Sequence, residues 1–248
     1  HIVVDGQTCT GDVVIPDGVT DIANYAFSSD FGLVTACSTQ MTSVTIPDSV
    51  TRIGSSAFSG WKGLRRVKLS KNITTIEVAA FYQCDSLPEI VLPEGLTTIR
   101  SNAFSSCTGL TGLRLPDSLT KMENWAFASC TNLTRITIPD SVTRLESYAF
   151  YFCTNLSSVE ISENSGLTSM GESVFRADTK LKNLYIPDAV ISIGWNIFED
   201  ATEGVTLSVA ENSYAQSYAK KYGIAYVTRA SRPTVVASGA CGKDAAWA

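Results

Sequence analysis

Four cysteines, Cys84, Cys107, Cys130 and Cys153, stand 23 residues apart, and no other thiol-bearing set in the chain is so regular. Thiols at short spacing with histidines would suggest zinc, and a thiol beside a histidine would suggest a nucleophile. Neither fits here. The only histidine is His1, so no Ser-His-Asp or Cys-His arrangement can be assembled inside the fold. No phosphate-cradling loop, dinucleotide glycine pattern or zinc-spaced Cys/His set is present. No catalytic residue, metal ligand or cofactor is therefore expected, and the chain does not read as an enzyme. A 23-residue column implies stacked coils about 4.8 Å apart, with side chains all pointing the same way. That geometry favours free, buried thiols acting as small core residues over disulfides. Cys9 and Cys37 lie outside the column and could staple the N-terminal end in an oxidising compartment, or stay free, while Cys241 falls in the tail.

Two further columns look chemical. Asp17, Asp48, Glu94, Asp117, Asp140, Glu163 and Asp188 follow a proline or its equivalent, with Lys71 breaking the series. Stacked carboxylates could gather calcium, but an acidic side chain after proline also suits a turn, bonding nearby amides. The turn is the favoured reading. Thr20, Thr51, Thr74, Thr97, Thr120, Thr143 and Thr168 form a ladder whose neighbours include Arg52, Lys121 and Arg144. Those charges argue against a flat ice-binding surface, and pairing between neighbouring coils accounts for the threonines.

The elements that position these columns follow from the same period. A repeat of roughly 20 to 50 residues marks a solenoid in which each unit buries its apolar face only against its neighbours. The unit reads Leu-x-x-Val-x-Ile-Pro-Asp-Ser-Val-Thr-x-Ile-x-x-x-Ala-Phe-x-x-Cys, and Phe27, Phe58, Phe81, Phe104, Phe127, Phe150, Phe175 and Phe198 mark eight coils. The interval from Phe27 to Phe58 carries eight extra residues and that from Phe150 to Phe175 carries two. Alternation such as Leu133, Ile136 and Ile138 against Arg135 and Thr137 predicts a half-buried strand that ends at the proline. A second short extended piece and a helical or 3-10 turn then carry Ala-Phe into the core. Each coil buries about seven side chains at about 1.5 to 3 kcal/mol apiece, too little to order 23 residues alone. The repeat stops near residue 207. Residues 1–207 are expected to form the solenoid, with an N-terminal edge at about 1–14. Residues 208–228 are expected to form a capping helix and strand, with Ser213 or Asn212 as N-cap and Gly223 as the stop. Residues 229–248 read as a linker or the start of a truncated module.

Composition narrows the partners. Net charge is −5, so nucleic acid is not an expected partner, and charged residues make up only 17% of the chain. No run of about 18 apolar residues predicts membrane insertion. Residues 1–30 lack the order of a signal peptide, and the chain opens on His1 rather than Met, as a trimmed N-terminus compatible with export would.

Binding residues are sought where the repeat varies. Strand positions expected to face outward are Ser43 and Thr45, Arg66 and Lys68, Glu89 and Val91, Gly112 and Arg114, Arg135 and Thr137, Ser158 and Glu160, Asn183 and Tyr185. They differ from coil to coil over an invariant scaffold, as a binding face would. Arg66, Lys68, Glu89, Arg114, Arg135, Glu160 and Tyr185 are the candidate contacts. An aromatic set, Trp125, Tyr148 and Tyr151 with Phe152, is the alternative, since such rings stack on sugars or anchor protein contacts.

The block Ile-Pro-Asp-Ser-Val-Thr-Arg-Ile-Gly-Ser-Ser-Ala-Phe at 46–58 and its copies resemble the BspA-type (Treponema pallidum type) leucine-rich repeat family over residues 13–228. The Ser-Tyr-Ala-Gln-Ser-Tyr-Ala-Lys-Lys-Tyr-Gly-Ile block at 213–224 is similar to that family's closing segment. The resemblance implies a right-handed leucine-rich repeat solenoid with a parallel sheet on its concave face. It also implies a non-catalytic secreted or cell-surface protein that binds a protein partner or mediates adhesion. Carbohydrate binding through the aromatic set and a passive spacer are the other functions considered.

Overall fold

A computed structural model describes residues 1–3, 10–29, 41–201 and 204–230. Cys9, Cys37, Cys241, the insertion at 30–40 and the tail from 231 onward lie outside the described residues.

The described chain winds as stacked coils whose strands fall on two faces. On the first face, Gly11–Val14, Met41–Thr45 and Arg66–Lys68 form one parallel sheet, Arg135–Ile138 pairs with Ser158–Ile161, and Asn183–Tyr185 joins Thr206–Ala210 and Ala225–Arg229. On the second face, Ile2–Val3, Asp21–Ile22 and Arg52–Ile53 pair, followed by six parallel strands from Thr75–Ile76 to Ser192–Ile193. The register reproduces the repeat: Arg135 lies beside Ser158, and Thr75 beside Thr98.

The core is the column structure itself. Phe58, Phe81, Phe104, Phe127, Phe150 and Phe175 are fully buried. Consecutive rings from Phe27 to Phe198 stack with centroids 4.9 to 6.1 Å apart and planes within 11°. Parallel rings at such separations give favourable offset contacts in addition to area burial.

The Ala-Phe turn is not a continuous helical turn. In the column from Phe58 to Phe198, residues two before and two after each phenylalanine take positive φ, as at Asn102 (58°) and Ser106 (60°), or Trp125 (62°) and Ser129 (59°). Each left-handed residue reverses the backbone within a few residues, so the piece resolves into two tight turns with i to i+3 bonds such as Ala103 N–H to Arg100 O and Ser105 N–H to Asn102 O. Between coils, the phenylalanine N–H donates to the alanine carbonyl of the following coil, at 2.9 Å for Phe104 to Ala126.

The far end is closed by a helix, Tyr214–Tyr222. Ser213 is its N-cap, accepting the Gln216 N–H at 3.1 Å, while the Gln216 side-chain oxygen accepts the Asn212 N–H at 3.0 Å. Gly223 ends the helix in the left-handed region with φ of 67°, where glycine carries no Cβ penalty. Tyr218 then anchors the helix to the last coil through its hydroxyl, which donates to Gly194 O at 2.8 Å. Ser213→Ala is expected to destabilise the protein by about 0.5 to 2 kcal/mol, read in urea unfolding. An unchanged midpoint would mean that the helix is held by its packing alone.

Candidate binding face

The first face brings the sequence-selected residues into two rows. Ser43, Arg66, Glu89, Gly112, Arg135, Ser158 and Asn183 make one row, and Thr45, Lys68, Val91, Arg114, Thr137, Glu160 and Tyr185 the other. Residues between them, such as Val44, Val67, Ile90 and Ile136, are buried. Arg66, Lys68, Glu89, Arg114, Arg135 and Glu160 are exposed, whereas Tyr185 is half-buried beneath the Arg229 guanidinium, 4.4 Å from its ring centroid. Its ring face is therefore less open to a partner than the alternation alone suggested.

Charges on this face are partly paired. Arg114 Nη1 meets Glu94 Oε1 at 2.5 Å, and Arg135 Nε lies 3.7 Å from Glu160, which also accepts the Thr137 hydroxyl at 2.9 Å. The Glu94 bond holds the Arg114 guanidinium above its usual range. At the N-terminal end, the Ser43 and Thr42 hydroxyls donate to Asp12 and lower its carboxyl from the ordinary value. These pairs are solvent-exposed and contribute little to stability.

The sheet on this face is interrupted. Glu89 to Leu92 and Gly112 to Leu115 run without ladder hydrogen bonds, although Thr111 N–H still reaches Pro88 O at 3.0 Å. Pro88 lacks the donor that a strand needs, and Gly112 is a poor strand former. A second unpaired junction separates Ser158–Ile161 from Asn183–Tyr185, next to the two-residue insertion.

The aromatic set lies elsewhere, beside the phenylalanine turns. Trp125 and Tyr148 stack face to face at 4.1 Å, Tyr151 meets both edge-on, and the Tyr148 hydroxyl donates to Glu172 at 2.7 Å. That bond, with Glu172 as acceptor, raises the Tyr148 phenol above its ordinary value. Phe152 is 44% exposed. Trp125, Tyr148 and Phe152 all sit at positive φ, which bulky residues rarely adopt. Sequence reasoning missed this because most coils carry Ser, Ala or Asn there.

The remaining columns are structural. Cys84, Cys107, Cys130 and Cys153 are free and buried, each thiol donating to the phenylalanine carbonyl of the preceding coil at 3.0 to 3.3 Å. Burial pushes Cys84, Cys130 and Cys153 well above the ordinary thiol value, which makes them unreactive. Asp178 continues this column, fully buried, an acid that the sequence reading did not assign to it. Threonine hydroxyls donate to the preceding threonine carbonyl, as in Thr97 to Thr74 at 3.1 Å and Thr168 to Thr143 at 3.1 Å. In the acidic column, Asp48 accepts the Lys71 N–H and pairs with its ammonium at 2.9 Å, which lowers the carboxyl. Among the described residues no three His, Cys, Asp or Glu side chains gather as a metal site would, and no helix is long and apolar enough to cross a membrane.

The comparisons agree with this architecture. A model of the BspA type leucine rich repeat region, in 6 copies, matches residues 34–111 and 74–205. A crystal structure of a T. pallidum leucine rich repeat protein is 32% identical, aligned over 68% of this chain and 77% of that one with a TM-score of 0.60. A leucine-rich repeat protein from Bacteroides ovatus aligns over 90% of this chain and 84% of that one at 17% identity and a TM-score of 0.39. No curated protein matches the sequence. With its repeats covered by that family model and about a third of its aligned residues shared with the T. pallidum protein, this chain belongs to the BspA type leucine-rich repeat family.

Proposed function

We propose that the protein is a non-enzymatic recognition module, secreted or displayed at a bacterial surface, which binds a protein partner through the first face. One observation carries the reading: two adjacent rows of exposed, chemically varied side chains rest on a buried scaffold that repeats from coil to coil. Such a rigid surface loses little order on binding, so its contacts convert more fully into affinity. Arg66 and Lys68 place two positive charges two residues apart on this face, while Arg114 pairs with Glu94 and Arg135 with Glu160. A partner with acidic and apolar groups is the complement.

Carbohydrate binding by Trp125, Tyr148 and Tyr151 is less well supported. Trp125 and Tyr148 each turn one ring face to the other, and Tyr151 packs edge-on to both, so the cluster spends much of its surface on itself.

Immobilised extracellular-matrix proteins probed with the wild type and with Arg66→Glu/Lys68→Glu test the proposal. Charge reversal is expected to weaken binding at least tenfold, or about 1.4 kcal/mol, and Trp125→Ala to leave it unchanged. A glycan array that binds the wild type and loses binding in Trp125→Ala would replace the reading with the carbohydrate one. No retention of the wild type on any matrix protein, with the same result after charge reversal at Arg66, Lys68, Arg114 and Arg135, would leave the spacer.

A further inference from the structure

The interruption of the first-face sheet lies in the middle of the candidate contacts. Two clefts flank Gly112. One, about 320 Å³, lies between Glu89–Leu92 and Thr111–Arg114. The other, about 300 Å³, lies between Thr111–Leu113 and Thr134–Thr137. Val91 stands 80% exposed at the first, and a Cβ added to Gly112 would meet nothing within 4 Å. Main-chain groups of Glu89–Leu92 and Gly112–Leu115 make no hydrogen bond to another coil. An exposed apolar side chain beside a glycine leaves room on this face for side chains of an extended segment, whose alternate residues point down onto it.

Charge says how such a chain would lie. Lys68 and Arg66 are exposed one coil before Val91 and two before Gly112, and among the described residues neither forms an ion pair within 4 Å. Coils stack about 4.8 Å apart and an extended chain advances about 3.3 Å per residue, so three residues cover two coils. Resting on the reading of this face as a protein-binding surface, we propose that the double cleft seats an extended peptide segment of the partner. An apolar side chain sits over Gly112 against Val91, and a carboxylate about three positions away meets Arg66 or Lys68.

A displayed library of linear peptides is the probe, combined with amide hydrogen exchange. In the free protein, amides of 90–92 and 113–115 are expected to exchange at least tenfold faster than those of Met41–Thr45 and Ser158–Ile161. Enriched peptides should carry the apolar and acidic residues at that spacing, slow exchange at 90–92 and 113–115, and bind Gly112→Val at least tenfold more weakly. Gly112→Ala, a smaller change, should show an intermediate loss if the larger variant misfolds. Strong protection of those amides in the free protein overturns the inference, as does a library that yields no binder. Peptides that leave those amides untouched but need Arg66 also overturn it, while keeping the broader reading of the face. Loss of matrix-protein binding to the whole face, tested separately, removes that broader reading.

Discussion

Phe127→Ala lowers stability by about 3 to 5 kcal/mol and splits the unfolding transition. Phe127 is fully buried and stacks on Phe104 at 5.4 Å and on Phe150 at 5.7 Å, so its loss opens a cavity and removes two ring contacts together. A solenoid makes the position of the lesion matter. Stability is close to a sum of coil terms and nearest-neighbour interfaces, and a weak interface in the middle uncouples the two halves. Urea unfolding should therefore show a lower midpoint and a shallower or biphasic transition, the mark of lost two-state behaviour. Phe198→Ala is the control. Among the described residues Phe198 stacks on Phe175 alone, and it is 7% exposed, so its truncation should cost less and leave the remaining coils cooperative. Equal losses at the two positions would show that the ring column does not transmit coupling between coils.

Most of this architecture is legible in the sequence because a repeat prints each structural requirement many times. Eight phenylalanines at near-constant spacing specify a column before any strand is assigned, and four cysteines in register point to thiols too uniformly oriented to bridge. The capping helix is legible for a different reason, since Ser213 and Gly223 each supply a local chemistry that only a helix terminus needs. What escapes is whatever depends on backbone conformation or on a single departure from the repeat. Positive φ at Trp125 and Tyr148 is hidden because nothing about tryptophan or tyrosine announces the left-handed region. The broken ladder had a signal in Pro88 and Gly112, but the apolar alternation of Ile90, Leu92, Leu113 and Leu115 carries on through both and reads as unbroken strand. The outward rows are legible as a pattern, yet Tyr185 loses its open ring face to Arg229 from a strand 44 residues later, a contact no repeat encodes.

Asp178 is the departure with the largest energetic consequence. It stands three residues after Phe175, where Cys84, Cys107, Cys130 and Cys153 stand after their own phenylalanines, and the insertion between Phe150 and Phe175 obscures the match. Its side chain is fully buried. Oδ1 accepts the Cys153 N–H at 2.7 Å, but Oδ2 has no hydrogen-bond partner. Burial raises its carboxyl well above the ordinary value of 3.8, offset only in part by the Cys153 bond. The sign of the linkage follows. Because the folded state holds the proton more tightly than the unfolded chain, the residue penalises folding least below 3.8, increasingly as pH rises toward the folded value, and by a constant amount above it. Asp178→Asn keeps the acceptor for Cys153 and removes the ionisation. It should stabilise the protein by about 1 to 3 kcal/mol at pH 7, with the gain shrinking toward pH 4. Asp178→Cys, which restores the column residue, should show the same trend. Exposed carboxylates such as Asp12 and Asp48 are lowered instead and titrate with the opposite sign, so the variant-minus-wild-type difference isolates residue 178. Calorimetry of both proteins from pH 4 to pH 8 reads it directly. A difference that stays flat across that range would mean that Asp178 binds its proton equally well in the folded and unfolded states, and a difference that grows on acidification would show that it is ionised and stabilising where it sits.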